Sequence, residues 1–215
     1  MITSFKPLHE AAARVASSSY IERSGIYTVT IAQAHVSQSQ GGATCVNLDL
    51  KTDIGELCFV QMWVLGKDGG RLFSHDIFDA LLVVLGVPEA QVKQAKVFDR
   101  FTNDWVDGYR IPAIEKKKLG VVLQKVTDYV RTKKNGDPRI SMELLTPFDL
   151  STRKIAKEIL TDAPASRIDQ IEDKGVKDKT IYPKEDAQPQ TAQQPAALLS
   201  PKPETADDGW GDVPF

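Results

Sequence analysis

At Gly25 the chain switches to an alternation of period two, and that switch limits its fold more than any other feature. Tyr27, Val29 and Ile31 alternate with Thr28 and Thr30, the spacing of a strand with one buried face. A polar run over 37–42 turns the chain. Val46, Leu48 and Leu50 then alternate with Asn47, Asp49 and Lys51, and Thr52-Asp53-Ile54-Gly55 forms a tight reversal. A third strand follows over 56–64. Its two faces carry Cys58, Val60, Met62 and Val64 on one side and Leu57, Phe59, Gln61 and Trp63 on the other. Two readings of it stand side by side: a strand buried on both faces, or one whose outer face offers Phe59 and Trp63 for stacking. Three strands joined by short polar turns make an antiparallel meander.

Beyond the meander, Gly66-Lys67-Asp68-Gly69-Gly70-Arg71 is a loop with two cations. The spacing then predicts a helix over 74–85, capped by Ser74, with Asp76 and Asp79 at its positive end and Gly86 and Pro88 after it. Its stripe of Ile77, Phe78, Leu81, Leu82 and Leu85 suits a core. Weak helical propensity continues over 89–96. Residues 97–115 are an insertion holding Phe98, Phe101, Trp105 and Tyr109, either a lid or a satellite core. A long strand over 119–131 and a partner over 139–145 flank an Asn135-Gly136 hairpin turn. A short helix ends the body over 151–160. The fold expected is all-β with a helical insertion: three strands, a helix, two strands. This is the order of an OB-fold, a five-stranded, partly open barrel with a helix between strands 3 and 4 that binds oligonucleotides on strands two and three and nearby loops. An unrelated small barrel or an α+β sandwich fits the same order.

The net charge of −2 over 215 residues hides a division. Residues 1–160 carry 21 Lys+Arg against 18 Asp+Glu, a net of +3; residues 161–215 carry 6 against 11, a net of −5. The expected domains are therefore a nucleic-acid-binding body over 1–160, with a minor helix around 10–16, a flexible, disordered linker rich in Pro, Gln and Ala over 161–206, and an acidic tip over 207–215. Cys45 and Cys58 sit in strand-like segments, no cleavable leader is evident, and the longest apolar run, 80–87, is too short for a bilayer. A soluble cytoplasmic protein that makes no membrane contact is expected.

A single-strand binder needs cations along the phosphates and aromatic faces for the bases. The densest basic stretch is 116–139, with Lys116, Lys117, Lys118, Lys125, Arg131, Lys133, Lys134 and Arg139 against Asp128 and Asp137. Period two puts Lys125, Thr127, Tyr129 and Arg131 on one strand face, although a solvated face with a solubilising basic turn would look the same. Lys67 and Arg71 would extend the groove. Trp63, Tyr129 and Phe59, in that order, are the stacking candidates, with Trp105 and Tyr109 as alternatives. His9, His35 and His75 are scattered and the two cysteines lack a second pair, so neither a catalytic residue nor a metal or cofactor is expected. Asp104 and Asp107 are the only pair that suggests a nuclease, and surface charge explains them better.

The chain ends Asp207-Asp208-Gly209-Trp210-Gly211-Asp212-Val213-Pro214-Phe215. This ending resembles the acidic tip of bacterial and phage single-stranded DNA-binding proteins, which closes on aspartates followed by Ile-Pro-Phe. Val213 stands in the Ile position, Pro214 and Phe215 match, and Gly209-Trp210-Gly211 interrupts the acidic run. The resemblance implies a non-enzymatic, phage-type protein that coats single-stranded DNA in replication, recombination and repair within the host cytoplasm. It also implies that Asp207, Asp208, Trp210, Asp212, Val213, Pro214 and Phe215 recruit polymerase, helicase or nuclease partners, with the apolar pair giving grip and the charges steering. Self-association along DNA would compensate for the weak hold of one barrel. The competing expectation is an adaptor whose body binds protein and whose tip mimics a host tail, with no affinity for DNA.

Overall fold

The computed structural model describes residues 20–100 and 102–183. The alternating segments form β1 (Gly25–Gln38), β2 (Thr44–Thr52) and β3 (Leu57–Leu65), paired antiparallel in order. Helix α1 (Phe73–Val84) follows. Then come a hairpin of β4 (Lys93–Asp99) and β5 (Asp104–Arg110), the long strands β6 (Lys118–Thr132) and β7 (Pro138–Phe148), and α2 (Ala156–Leu160), α3 (Arg167–Lys174) and β8 (Lys179–Ile181). No helix among the described residues is long and apolar enough to cross a membrane.

Five strands close into a ring: β1 to β2 to β3, β3 parallel to β7 at Val60↔Met142, β7 to β6, and β6 back to β1 from Gly25↔Leu123 to Thr30↔Lys118. The protein is mostly β, a ring of strands with a helix between two of them. The ring strands β1 and β6 are longer than their mutual pairing. β5 takes up the overhang of β1 at His35↔Arg110 and Val36↔Tyr109, and β8, running parallel, takes up that of β6 at Val126↔Lys179 to Asp128↔Ile181. Ala32 is an extra residue in β1 between Ile31 and Gln33, and such a bulge bends a strand where it leaves one neighbour for another.

Alternate side chains fill the ring. Val29, Ile31, Leu48, Leu50, Val60, Leu119, Val121 and Leu123 are at most 1% exposed, and α1 closes one end with the fully buried Leu81. A second cluster lies outside the ring, where Val122, Phe148 and Ile168 of α3 pack together. Gly120 faces Phe148 across the β6–β7 pair, and a Cβ at Gly120 would collide with the far edge of the phenyl ring. Only glycine lets the two strands share that site.

Several expectations are corrected. The weak helical signal of 89–96 gives way to β4 from Lys93, because pairing with β5 along seven residue pairs overrides a marginal propensity. Helix α1 starts one residue early, its cap Leu72 makes no side-chain hydrogen bond, and Ser74 lies inside the helix. Gly86 does follow the helix in the left-handed region, with φ of 62°. The last helix shrinks to α2 because the Asp149 carboxylate accepts from the amides and hydroxyls of Ser151 and Thr152, fixing a turn instead. The compact unit runs through Pro183, so the first part of the expected linker folds as α3 and β8. Ile168 docks α3 at 1% exposure, an anchor too short to register as a periodic pattern. The 10–16 segment, the rest of the linker and the tip with its seven named residues lie outside the described residues.

Candidate nucleic-acid interface

The faces of β1, β2 and β3 that turn away from the core carry Gln33, His35 and Ser37, then Cys45, Asn47 and Asp49, then Phe59, Gln61 and Trp63. Register sets them in rows: Ser37–Cys45–Trp63, His35–Asn47–Gln61 and Gln33–Asp49–Phe59. Gln61 Nε2 donates to Asn47 Oδ1 at 3.2 Å, and Asn47 Nδ2 donates to Ser37 Oγ at 2.8 Å, a chain of amides across the sheet. On β3 one face is buried and the other is covered only in part. Cys58, Val60, Met62 and Val64 are at most 5% exposed, whereas Trp63 is 39% exposed and Phe59 half-buried.

The β4–β5 hairpin roofs part of this face, so the aromatic-rich insertion acts as a lid, while Ile111 and Ile114 from the same stretch enter the main core. Under the lid is a cleft of about 350 Å³ lined by Phe59, Asn47, Gln61, His35, Phe98 and Arg100, among others. Gln33 stitches the lid down, its Nε2 donating to the Phe98 carbonyl at 3.3 Å and its Oε1 accepting from the Phe98 amide at 3.0 Å. The Arg100 guanidinium sits 5.5 Å from the Phe59 ring centre and donates to Asp49 Oδ1 at 3.0 Å. At the hairpin root, Arg110 forks onto Glu115 through two 2.7 Å bonds, and Glu115 Oε1 also accepts from the Ala34 amide. Gly108 admits close packing, since a Cβ there would come within 2.7 Å of Val97 Cγ2.

Burial lowers the pKa of His35, with Arg100 and Arg110 adding to the effect and Asp49 and Asp99 opposing it, so the cleft imidazole is neutral near pH 7. Burial pushes Cys45 up to about 11 and Cys58 up to about 12, which keeps both as protonated thiols. The arrangement can stack a planar ring on Phe59 or Trp63 and offer amide donors and acceptors to its edge.

The sequence-predicted cations do not gather in one place. Lys67 is exposed in the β3–α1 loop, and Arg71 beside it bonds Asp76 and Asp79. Lys116, Lys117 and Lys118 lie where β6 begins; Lys117 Nζ donates to the Leu85 carbonyl at 3.0 Å, and Lys118 Nζ pairs with Asp53 at 2.6 Å. Lys125, Tyr129, Arg131, Lys133 and Lys134 lie at the other end of β6 and in its turn. The regular pairing expected there holds through Asp128 and then breaks: Asp128 Oδ1 accepts from the amides of Val130 and Arg131, and the register slips between Asp128 and Thr132. Trp105 and Tyr109 are 54% and 56% exposed on β5, with Trp105 edge-on to Phe98 at 5.6 Å. Asp104 caps the Trp105 amide and Asp107 pairs with Lys96.

The sequence reading named Phe98 only as part of the aromatic insertion and passed over Arg100 and the Asn47–Gln61 pair. Arg100 was hidden because it lies in that insertion, and only the fold brings it over Phe59. Asn47 and Gln61 were visible as polar steps in apolar strands, and a register would have joined them. Tyr182 was lost by being counted in the linker. A second groove, of about 580 Å³, lies between α3 and the outer faces of β6 and β7, with Val122, Leu145, Ile155, Ile171 and Val176 inside and Arg167, Lys174 and Lys177 at its edge. Comparison of the sequence with protein-family models and with curated proteins finds no match.

Proposed function

We propose that this protein is a non-enzymatic, non-sequence-specific single-stranded DNA-binding protein of the phage type, whose ring is an OB-fold barrel. The ring order β1-β2-β3-β7-β6, its parallel β3–β7 contact and the helix after the third strand agree with that barrel, with β4 and β5 as an insertion before the fourth barrel strand. The observation that carries the reading is the outer face of β1–β3. It carries an exposed Trp63 and a half-buried Phe59 with Arg100 over its ring, beside a row of side-chain amides, on the sheet face that such barrels use for oligonucleotides. Bases would stack on Phe59 and Trp63, while the phosphates would run toward Lys125, Lys133 and Lys134. The tip, through Trp210, Val213, Pro214 and Phe215 with their flanking aspartates, would recruit replication and repair proteins.

Phe59→Ala and Trp63→Ala test the face. Each should weaken binding of oligo-dT about tenfold, within the range of one lost stacked base, while the urea midpoint moves little for Trp63→Ala. Wild-type affinity in both variants would contradict the reading. Deleting 207–215 should leave DNA binding intact or tighten it, because an anionic segment that competes with phosphates is removed.

A further inference from the structure

The ring face does not hold all of the exposed aromatic surface. On the overhang of β6, Tyr129 stacks on Tyr182, the residue after β8, with ring centres 5.3 Å apart and planes within 9°. Tyr129 is 43% exposed and Tyr182 68%, so the pair presents an open ring face to solvent. The parallel register of β8 creates the stack: Thr180 lies beside Thr127 and Ile181 beside Asp128, which brings Tyr182 level with Tyr129. Three polar ties hold β8 in that register. Gln124 Nε2 donates to the Lys177 carbonyl at 2.8 Å, Lys179 pairs with Glu143 at 3.2 Å, and the Ser24 hydroxyl donates to Asp178.

The two faces of this overhang differ in charge. Alternation puts Lys125, Thr127 and Tyr129 of β6, Ile140 and Met142 of β7, and Thr180 and Tyr182 of β8 on one side. None of these is a carboxylate. Asp128 and Glu143 take the alternate positions, where Lys179 neutralises Glu143. Lys133 and Lys134 stand exposed at the adjoining turn. The nearby carboxylates are engaged, Asp178 by the Ser24 hydroxyl and Asp137 by the Asn135 amide, and a stacked, solvent-facing aromatic pair beside Lys125, Lys133 and Lys134 suits a base flanked by phosphates.

We infer that the Tyr129–Tyr182 stack is a second base-stacking site, with a nucleobase of single-stranded DNA as its ligand and Tyr182 supplying the outer ring face. This rests on the single-strand reading above and extends it, since a bound strand continues beyond the ring onto the β6–β8 overhang. The rings are already in contact, so the base adds to the column rather than entering it. Lys125, Lys133 and Lys134 receive the flanking phosphates.

The test titrates the intact chain with fluorescein-labelled oligo-dT of increasing length. Tyr182→Ala should bind the shortest oligonucleotides like wild type and lose about tenfold in affinity for longer ones, the loss expected of one stacked base. Tyr182→Phe should keep the full affinity, because stacking needs the ring and not the hydroxyl. Phe59→Ala, on the ring face, should weaken every length. Wild-type affinity of Tyr182→Ala at every length, with Phe59→Ala still weakened, would overturn the second site and leave the broader reading standing. A loss equal at every length, accompanied by a lower melting temperature, would also overturn it by showing that Tyr182 only braces β8. If the wild-type chain binds no oligonucleotide, both readings fall together.

Discussion

The two lysine-rich ends of β6 look alike in sequence and differ in the fold. At the closed end, Lys117 and Lys118 are spent on a helix carbonyl and on Asp53, and the strand beyond them is buried from Leu119 to Leu123. At the open end, Lys133, Lys134 and Arg131 are exposed beside Tyr129. Up to about 50 Å of strand separates the two ends at 3.3 Å per residue. Charge density along a sequence is therefore not a charged patch. A strand converts neighbours in sequence into residues at opposite ends of a domain, and pairing decides which cations remain available.

If the closed end is structural and the open end functional, substitutions should divide accordingly. The largest effect is expected from Gly120→Val, which drives a side chain into the Phe148 ring; it should cost about 3 kcal/mol in urea unfolding. A similar loss from open-end substitutions would break the comparison. Next comes Glu158, which braces α2 against α3 over the closed half of β6. Its carboxylate accepts from the amides of Ile155, Ser166 and Arg167 and from the Ser166 hydroxyl. Glu158→Ala should cost about 2 kcal/mol by leaving those donors unpaired. Burial alone would raise the Glu158 pKa, and the four donors outweigh it and hold the group below the ordinary carboxylate range. Its stabilisation is thus full above the unfolded pKa of about 4.3 and is lost as pH falls from there through the lower folded value. Glu158→Gln should flatten that part of an acid-unfolding curve.

Sharpening the open end takes charge. Replacing Lys125, Arg131, Lys133 and Lys134 together with Ala should lower oligo-dT affinity tenfold or more. The slope of log affinity against log salt should fall by about 3, at roughly 0.7 per single-strand phosphate contact. The triple change of Lys116, Lys117 and Lys118 should alter that slope by less than about 1. The smallest effect concerns His35. Its folded pKa lies below the unfolded one, so the unfolded state binds the extra proton first and stability falls as pH drops below about 6.5. His35→Asn should remove that decline, by less than about 1 kcal/mol, in thermal melts at pH 7 and pH 5.5.

The meander, α1 and the long hairpin were legible because their periodicity is local. Val46, Leu48 and Leu50 point inward as their alternation requires, and Asn135-Gly136 turns where a hairpin was expected, with Gly136 at a φ of 87°. Elements held by long-range partners were not legible. β4 is a strand only because β5 lies beside it, and β8 is three residues whose register depends on a strand some fifty residues earlier. The site divided in the same way. Phe59 and Trp63 could be named from alternation alone, while Arg100 over Phe59 and Tyr182 on Tyr129 needed the fold to bring distant segments together.

The central claim is most directly tested by fluorescence anisotropy of the intact chain with labelled oligo-dT and with matched duplex, each at low and moderate salt. The account predicts tight binding to the single strand, weakened by salt and much poorer for duplex. Equal affinity for duplex, or no salt-dependent binding to either, would contradict it and favour an adaptor that works through protein contacts.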